Sequence, residues 1–288
     1  MRILLLLLST LFISLSIHAQ GTWNDYVIGR PMPGYFEAKQ TVAKAWGINY
    51  QATFAGCVLS DEMSDKSKQY QATNKAYFKT LAIKYGDNWM EEFELEVKKE
   101  MHRNTSQKKG IWYELVDNNK DKSFYAAKQV VAQTWGITYK PQFLTKDMSA
   151  TEKAALTELF LANNDYVQQL ENTFGKGWQK ILDQEVEFEV AKQQHLANNT
   201  ATWVDYVVGK PYMTYFEAKK IVAKDWGIAY EVKFQGCELT PKMEKEMAKV
   251  EKSNARYFKT LEKLYGEDWK TKFDRAVQKK VAQAHLSQ

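Results

Sequence analysis

Hydrophobic positions along this chain change period in a fixed order. Tyr215, Ala218, Val222 and Trp226 fall at helical spacing, with Phe216 and Ala223 beside them. Gly227 follows and suits the left-handed residue that ends a helix, and Ile228 is placed for the apolar contact of such a cap. Ile228, Tyr230, Val232 and Phe234 then alternate with Ala229, Glu231 and Lys233, a period of two that predicts a short strand with one buried face. Thr240-Pro241 reads as an N-cap with proline at the first helical position. Met243, Met247, Val250, Asn254, Tyr257, Leu261 and Tyr265 mark a long helix that Gly266 ends. Trp269, Phe273, Val277 and Val281 predict a last helix.

The same order is written three times. Trp-Gly-Ile begins at 46, 135 and 226, offsets of 89 and 91, and these offsets also carry Trp23 to Trp112 and Trp203, and Trp89 to Trp178 and Trp269. A period near 90 residues exceeds solenoid repeats, which run roughly 20–50 residues, and fits a small domain. The expected fold is α+β and predominantly α-helical. Three tandem homologous units each run helix, short strand, long helix, helix, with a small sheet element. The expected boundaries are 1–19 for a signal peptide, then units at 20–106, 107–198 and 199–288. A Trp-bearing segment leads into each unit without a period of its own. An isolated strand is unstable, so each strand must pair with that lead-in or with another unit. Pro141 cannot donate to a ladder, which places its strand at a sheet edge. Ser149 with Glu152 reads as a capping box. The polar stretches 103–110 and 196–201 read as linkers.

Arg2, the apolar run from Ile3 to Ile17 and Ala19 form a secretory signal with cleavage ahead of Gln20. The chain is therefore expected to be exported, secreted or periplasmic, with no membrane span after cleavage. Forty Lys+Arg against 35 Asp+Glu give a formal charge of +5, mixed along the helices, so nucleic acid is not an expected partner. Two cysteines exclude a disulfide scaffold. Cys57 and Cys237 occupy equivalent positions, where the middle stretch has Lys146. They form either one 57–237 disulfide or two thiols. The bond requires a closed arrangement of the units and the thiols suit a linear one.

Candidate chemistry is sparse. After the signal, His102, His195 and His285 remain, each near the end of a last helix and read as dipole partners or solvated side chains. No catalytic residues, metal site or cofactor are assigned. Nine tryptophans invite a sugar-stacking reading, but their recurrence at stripe positions favours burial, which leaves Tyr113 and Tyr212 as the exposed aromatic candidates. Asn74, Asn163 and Asn254 interrupt apolar stripes; each either bonds backbone and fixes helix register or points into a ligand pocket. The first and third stretches share a Gly/Pro turn bearing a cation, Arg30 or Lys210. Tyr35, Glu37 and Lys39 follow the first turn, and Tyr215, Glu217 and Lys219 follow the third. These residues, with Asn74 and Asn254, are the ligand-binding candidates. The function expected is extracytoplasmic binding or scaffolding, with the middle unit as spacer and a protein, peptide or cell-envelope polymer as partner. The alternative is a secreted or periplasmic hydrolase using Cys57, Cys237 or a carboxylate.

Overall fold

The computed structural model describes residues 21–56, 60–105, 110–145, 148–236 and 239–286. The signal segment 1–19, Cys57, Cys237 and Lys146 lie outside the described residues. The described chain is mostly helical, with three two-stranded sheets. Its first stretch comprises β1 (Trp23–Ile28), α1 (Tyr35–Trp46), β2 (Tyr50–Ala55), α2 (Asp61–Tyr85) and α3 (Trp89–Asn104). The middle stretch comprises β3 (Ile111–Asp117), α4 (Lys122–Thr134), β4 (Thr138–Leu144), α5 (Ala150–Phe174) and α6 (Trp178–Asn198). The last comprises β5 (Trp203–Val208), α7 (Met213–Asp225), β6 (Tyr230–Gln235), α8 (Pro241–Tyr265) and α9 (Trp269–Leu286).

The unassigned Trp-bearing lead-in is thus a strand. It pairs in parallel with the strand after the next helix, Trp23 opposite Tyr50, Trp112 opposite Tyr139 and Trp203 opposite Tyr230. A parallel pair needs a crossover, and α1, α4 and α7 supply it. The linker reading of 196–201 is corrected: α6 runs to Asn198, and Asn199 continues it as the C-cap by donating its N–H to the carbonyl of His195. Residues 103–104 likewise belong to α3.

The expected helix signals act as chemistry demands. Ser149 and Glu152 form a full capping box, and Thr240 accepts from the N–H of Met243 ahead of Pro241 at the helix start. Gly47, Gly136 and Gly227 all have left-handed φ, at 65°, 74° and 69°.

The chain divides into two compact units. One is Met1–Pro31 with Ile48–Met90, and the other Met32–Gly47 with Glu91–Gln288. In the smaller unit α2 packs on the β1–β2 pair. Trp23 is the centre of its core, meeting Tyr50, Phe78 and Trp89 edge-on at centroid distances of 5.5, 5.0 and 5.8 Å. Ile48, Tyr77, Leu81 and Tyr85 are buried in the same unit.

Two cores of the larger unit are built alike. One gathers Trp112, Trp135, Leu170, Trp178 and Leu182, the other Trp203, Val222, Leu261, Trp269 and Phe273. Each Trp-Gly-Ile elbow rests on the terminal helix of another stretch. Lys99 of α3 stacks over Trp135 at 4.5 Å, and Phe188 of α6 meets Trp226 at 4.8 Å. Lys279 of α9 stacks over Trp46 at 3.3 Å. A Cβ on the elbow glycine would collide with Leu196 at Gly227 and with Ala282 at Gly47, and would press tightly on Arg103 at Gly136. The glycine therefore serves twice, for its positive φ and for close helix approach. Residues 99, 188 and 279 are equivalent under the 89- and 91-residue offsets. Because the α1 elbow lies on α9, these contacts close into a cycle within the larger unit and are not those of a linear string. Arg275 and Lys279 reach Glu92 at 3.4 and 4.0 Å across the same closure.

Candidate functional site

The site candidates separate into a buried set and an exposed set. The buried set is built on one lysine per stretch, Lys39, Lys128 and Lys219, each about 95% covered. Each lies on the crossover helix one residue after a buried alanine. An ammonium is almost never buried without a partner, and these have partners of a repeated kind. Lys219 binds Asp205 of β5, and its ammonium lies 3.9 Å from the Trp203 ring centroid. The other oxygen of Asp205 accepts from the indole N–H of Trp203 at 2.8 Å, and Tyr230 donates its hydroxyl to the oxygen that binds Lys219, also at 2.8 Å.

In the middle stretch Lys128 meets Glu114 at 2.8 Å and Asp183 at 3.0 Å. It lies 4.8 Å from the Trp112 ring, while Tyr139 donates to Glu114 at 2.8 Å. In the smaller unit Asp25 accepts from the Trp23 indole and the Tyr50 hydroxyl, both at 2.9 Å. In the larger unit Lys39 meets Glu94 at 3.7 Å, and Tyr35 donates to Glu94 at 3.1 Å.

These surroundings set the protonation states. Burial pushes the Lys219 amine below its ordinary range, opposed by Asp205. Tyr230 and Tyr139 are pushed far up by burial and by the adjoining carboxylates, so they remain hydroxyl donors. Burial, with Asp274 and Asp205 nearby, pushes Tyr215 up to about 12. In the last stretch the Asp205 carboxylate is filled from within the fold by the Trp203 indole, the Tyr230 hydroxyl and the Lys219 ammonium. In the middle stretch, by contrast, Asp183 Oδ1 is buried beside Lys128 with an ion pair and no hydrogen bond among the described residues.

The sequence reading singled out Lys39 and Lys219 but missed the carboxylates. Asp25, Glu114 and Asp205 stand two residues after each lead-in Trp, and Glu94, Asp183 and Asp274 recur on the terminal helices at the same offsets. That shared periodicity was the available signal.

The three asparagines complete the first strand of each sheet. Asn74 accepts from Asn24 N–H at 2.9 Å and donates to Asn24 C=O at 2.8 Å. Asn163 does the same with Tyr113, at 2.8 and 2.9 Å, and Asn254 with Val204, at 3.0 and 2.7 Å. One amide thus imitates a neighbouring strand and closes an open edge.

His102, His195 and His285 lie in the last turns of α3, α6 and α9, and the solvated reading needs correction at one of them. His195 is buried, not solvated. Tyr257 accepts from the Asn199 side chain and from Ala229 N–H, which leaves its proton for His195 Nε2 at 2.7 Å. The imidazole is therefore neutral, and burial lowers its pKa. Below about pH 6.5 the unfolded chain takes up a proton at this residue that the folded chain resists. Stability should therefore fall as pH drops from 7 towards 5.5. Urea titrations across that range should show the slope, and His195→Gln should flatten it; an unchanged slope in the variant would remove His195 as its source.

The exposed set lies at the carboxyl ends of the strands. Lys210 and Glu217 are exposed around the turn from β5 to α7, where Gly209 has φ 85°. Val208, Tyr212, Met213, Phe234 and Leu239 show 38–50% of their surface at this end. Tyr215 is half-buried and its ring meets Phe216 edge-on at 5.3 Å. Tyr212 is the exposed aromatic the sequence suggested, stacked on His285 with the rings parallel to within 15°; Tyr113 is half-buried. Arg30 and Glu37 are exposed at the equivalent turn of the first stretch. In the smaller unit Gly29 N–H donates to Gly56 C=O at 3.3 Å, so the loops following β1 and β2 meet. At the carboxyl end of β3–β4 an apolar cavity of about 390 Å³ is lined by Leu115, Leu144, Met148, Leu156 and Phe160.

Among the described residues no group of three or more His, Cys, Asp or Glu side chains is placed to hold a metal ion. No described helix is long and apolar enough to cross a membrane. Comparison with protein-family models, curated proteins and solved structures finds no match to this chain.

Proposed function

We propose that this chain is an exported, non-enzymatic binding or scaffolding protein. It consists of three homologous tandem units that engage a protein, peptide or envelope polymer at the carboxyl ends of their strand pairs. The observation that carries the reading is the division of labour among side chains. Those with reactive potential, such as Lys219, Asp205 and Tyr230, are consumed in buried clusters. Exposed apolar groups gather instead at the end of the parallel strands, with Lys210 and Glu217 beside them. Parallel α/β units bind ligands at that end, where loops meet above the sheet. An apolar surface rimmed by charge is also the usual form of a recognition surface.

The test uses the chain purified from an exporting host, whose intact mass should begin at Gln20. It is probed with purified peptidoglycan by co-sedimentation and with an extended-peptide array. One probe class should be retained, and Tyr212→Ser with Phe234→Ser should weaken retention at least tenfold while circular dichroism stays unchanged. Hydrolysis of a chromogenic ester or peptide that disappears in Cys57→Ser/Cys237→Ser would overturn the reading in favour of a hydrolase.

A further inference from the structure

The hydrogen-bonding of the sheet edges can be followed residue by residue. In β5, Trp203 N–H donates to Ala229 C=O at 2.8 Å and stands opposite Tyr230. A parallel ladder then runs from Trp203 C=O to Glu231 N–H, so Ala229, Glu231, Lys233 and Gln235 turn their backbone groups toward β5. The backbone groups of Tyr230, Val232 and Phe234 point the other way. The sheet has two strands, so no described strand pairs with this row. The other edge of the sheet differs, because the Val204 groups are taken by Asn254.

The middle stretch provides the contrast. Tyr113 turns its backbone to Asn163, so Trp112 and Glu114 face β4, and Trp112 stands opposite Tyr139. By the same parity Tyr139, Pro141 and Phe143 form the outward row of β4. Proline falls at the centre of that row, where its missing N–H breaks the template, a usual defence of an edge strand. β6 has Val232 at that position.

The residues around Val232 are self-complementary when reversed: aromatic, acid, valine, base, aromatic. Glu231 and Lys233 lie on the same face, 3.9 Å apart, with 53% and 41% of their side chains exposed. On the other face Phe234 is 41% exposed and its ring meets Phe216 at 5.8 Å.

We infer that β6 pairs antiparallel with β6 of a second copy across a twofold axis through Val232, making one four-stranded sheet. Val232 of each copy faces Val232 of the other, and Tyr230 faces Phe234 in both directions, giving roughly six backbone hydrogen bonds. Glu231 then lies directly opposite Lys233 twice, and Tyr230 opposite Phe234 twice. Opposite-charge and aromatic cross-strand pairs are the stabilising kinds. A foreign strand has no reason to match this reversed pattern, whereas a second copy does so necessarily. The pairing edge shares Phe234 with the binding end invoked above, but Val232 and the Glu231–Lys233 pair lie outside that end, and the variants below leave Phe234 unchanged.

Sedimentation equilibrium of the full chain over a concentration series, at low and high salt, tests the pairing. The wild type should show a monomer–dimer equilibrium that weakens with salt. Val232→Pro should raise its dissociation constant at least tenfold. Glu231→Lys should weaken it too, by placing Lys opposite Lys. Glu231→Lys/Lys233→Glu should restore it to within about threefold of wild type, because the reversed pair is again self-complementary. A wild type that stays monomeric at every concentration overturns the inference, as does a dimer indifferent to all three variants. So does a double variant no stronger than Glu231→Lys. Capture of an unrelated extended peptide by a strictly monomeric wild type would likewise overturn it and assign the edge to a foreign strand.

Discussion

Replacement of Asp205 by alanine should destabilise the protein by about 3–5 kcal/mol, the range for removing one partner of a buried pair. The carboxylate has three donors: the Trp203 indole, the Tyr230 hydroxyl and the Lys219 ammonium. Alanine leaves all three without it, and Lys219 is only 5% exposed. Asp205 itself retains 23% side-chain exposure, so water can enter the vacated space and the lower half of the range is expected. Lys219→Met should cost less, because the carboxylate left behind keeps two donors and some solvent, while Met fills the lysine stem's volume.

The two variants should also differ in pH response. The Lys219 amine titrates below its ordinary range in the folded protein because burial penalises its charge. Between that lowered value and the ordinary value near 10.5, the unfolded chain binds the proton and the folded chain does not. Stability linked to this residue therefore rises with pH across that window. Loss of Asp205 removes the interaction that holds the amine's pKa up, so the window widens downward. The deficit of Asp205→Ala should narrow between pH 7 and 10, and that of Lys219→Met should not. Urea unfolding at a series of pH values measures both. A deficit in Asp205→Ala under about 1 kcal/mol would mean that the cluster is solvated and contributes little.

Leu261→Ala is the second large effect. Leu261 is fully buried in the core formed with Trp203, Tyr257, Tyr265 and Phe273, and the cavity should cost about 2–5 kcal/mol. Asn254→Leu should cost less, about 1–3 kcal/mol, by leaving the N–H and C=O of Val204 unpaired on β5. Asn254 is only half-buried, so water can partly replace its amide. The leucine variant should also lose definition: the amide fixes which residue of α8 faces Val204, and an apolar side chain does not. Denaturant unfolding gives the two free energies, and dispersion of amide NMR signals reports the definition. If Asn254→Leu is as stable as the wild type but no longer retains the binding probe, the asparagine belongs to a ligand pocket and not to the strand edge.

Much of the architecture was legible in the residues. Periods of 3.6 and 2 placed α8 and β6: α8 turns Tyr257, Leu261 and Tyr265 into the core as expected, whereas the expected buried face of β6 is only half-covered at Tyr230 and Val232 and exposed at Phe234. Thr240-Pro241, Ser149 with Glu152 and the elbow glycines marked helix ends through local hydrogen-bonding and φ requirements that need no distant partner. The recurrence of Trp at three offsets forecast buried cores, and Trp23, Trp112 and Trp203 are buried. Pro141 announced an edge strand because a missing N–H is a covalent fact.

Other features were decided only when distant segments met. The lead-in around Trp203 has no period, since both faces of β5 are partly covered, so its strand character came from pairing with β6. His195 looked like a solvated helix end until Tyr257, 62 residues away, supplied a hydroxyl against it. Lys219 looked like part of a binding loop. Its burial depends on Asp205, 14 residues earlier on a strand the period did not reveal. The contact of the first elbow with α9 was invisible for the same reason. Sequence determines what each segment must bury or bond, whereas the identity of the partner is a property of the packed chain, because it depends on which surfaces remain uncovered once local structure has formed.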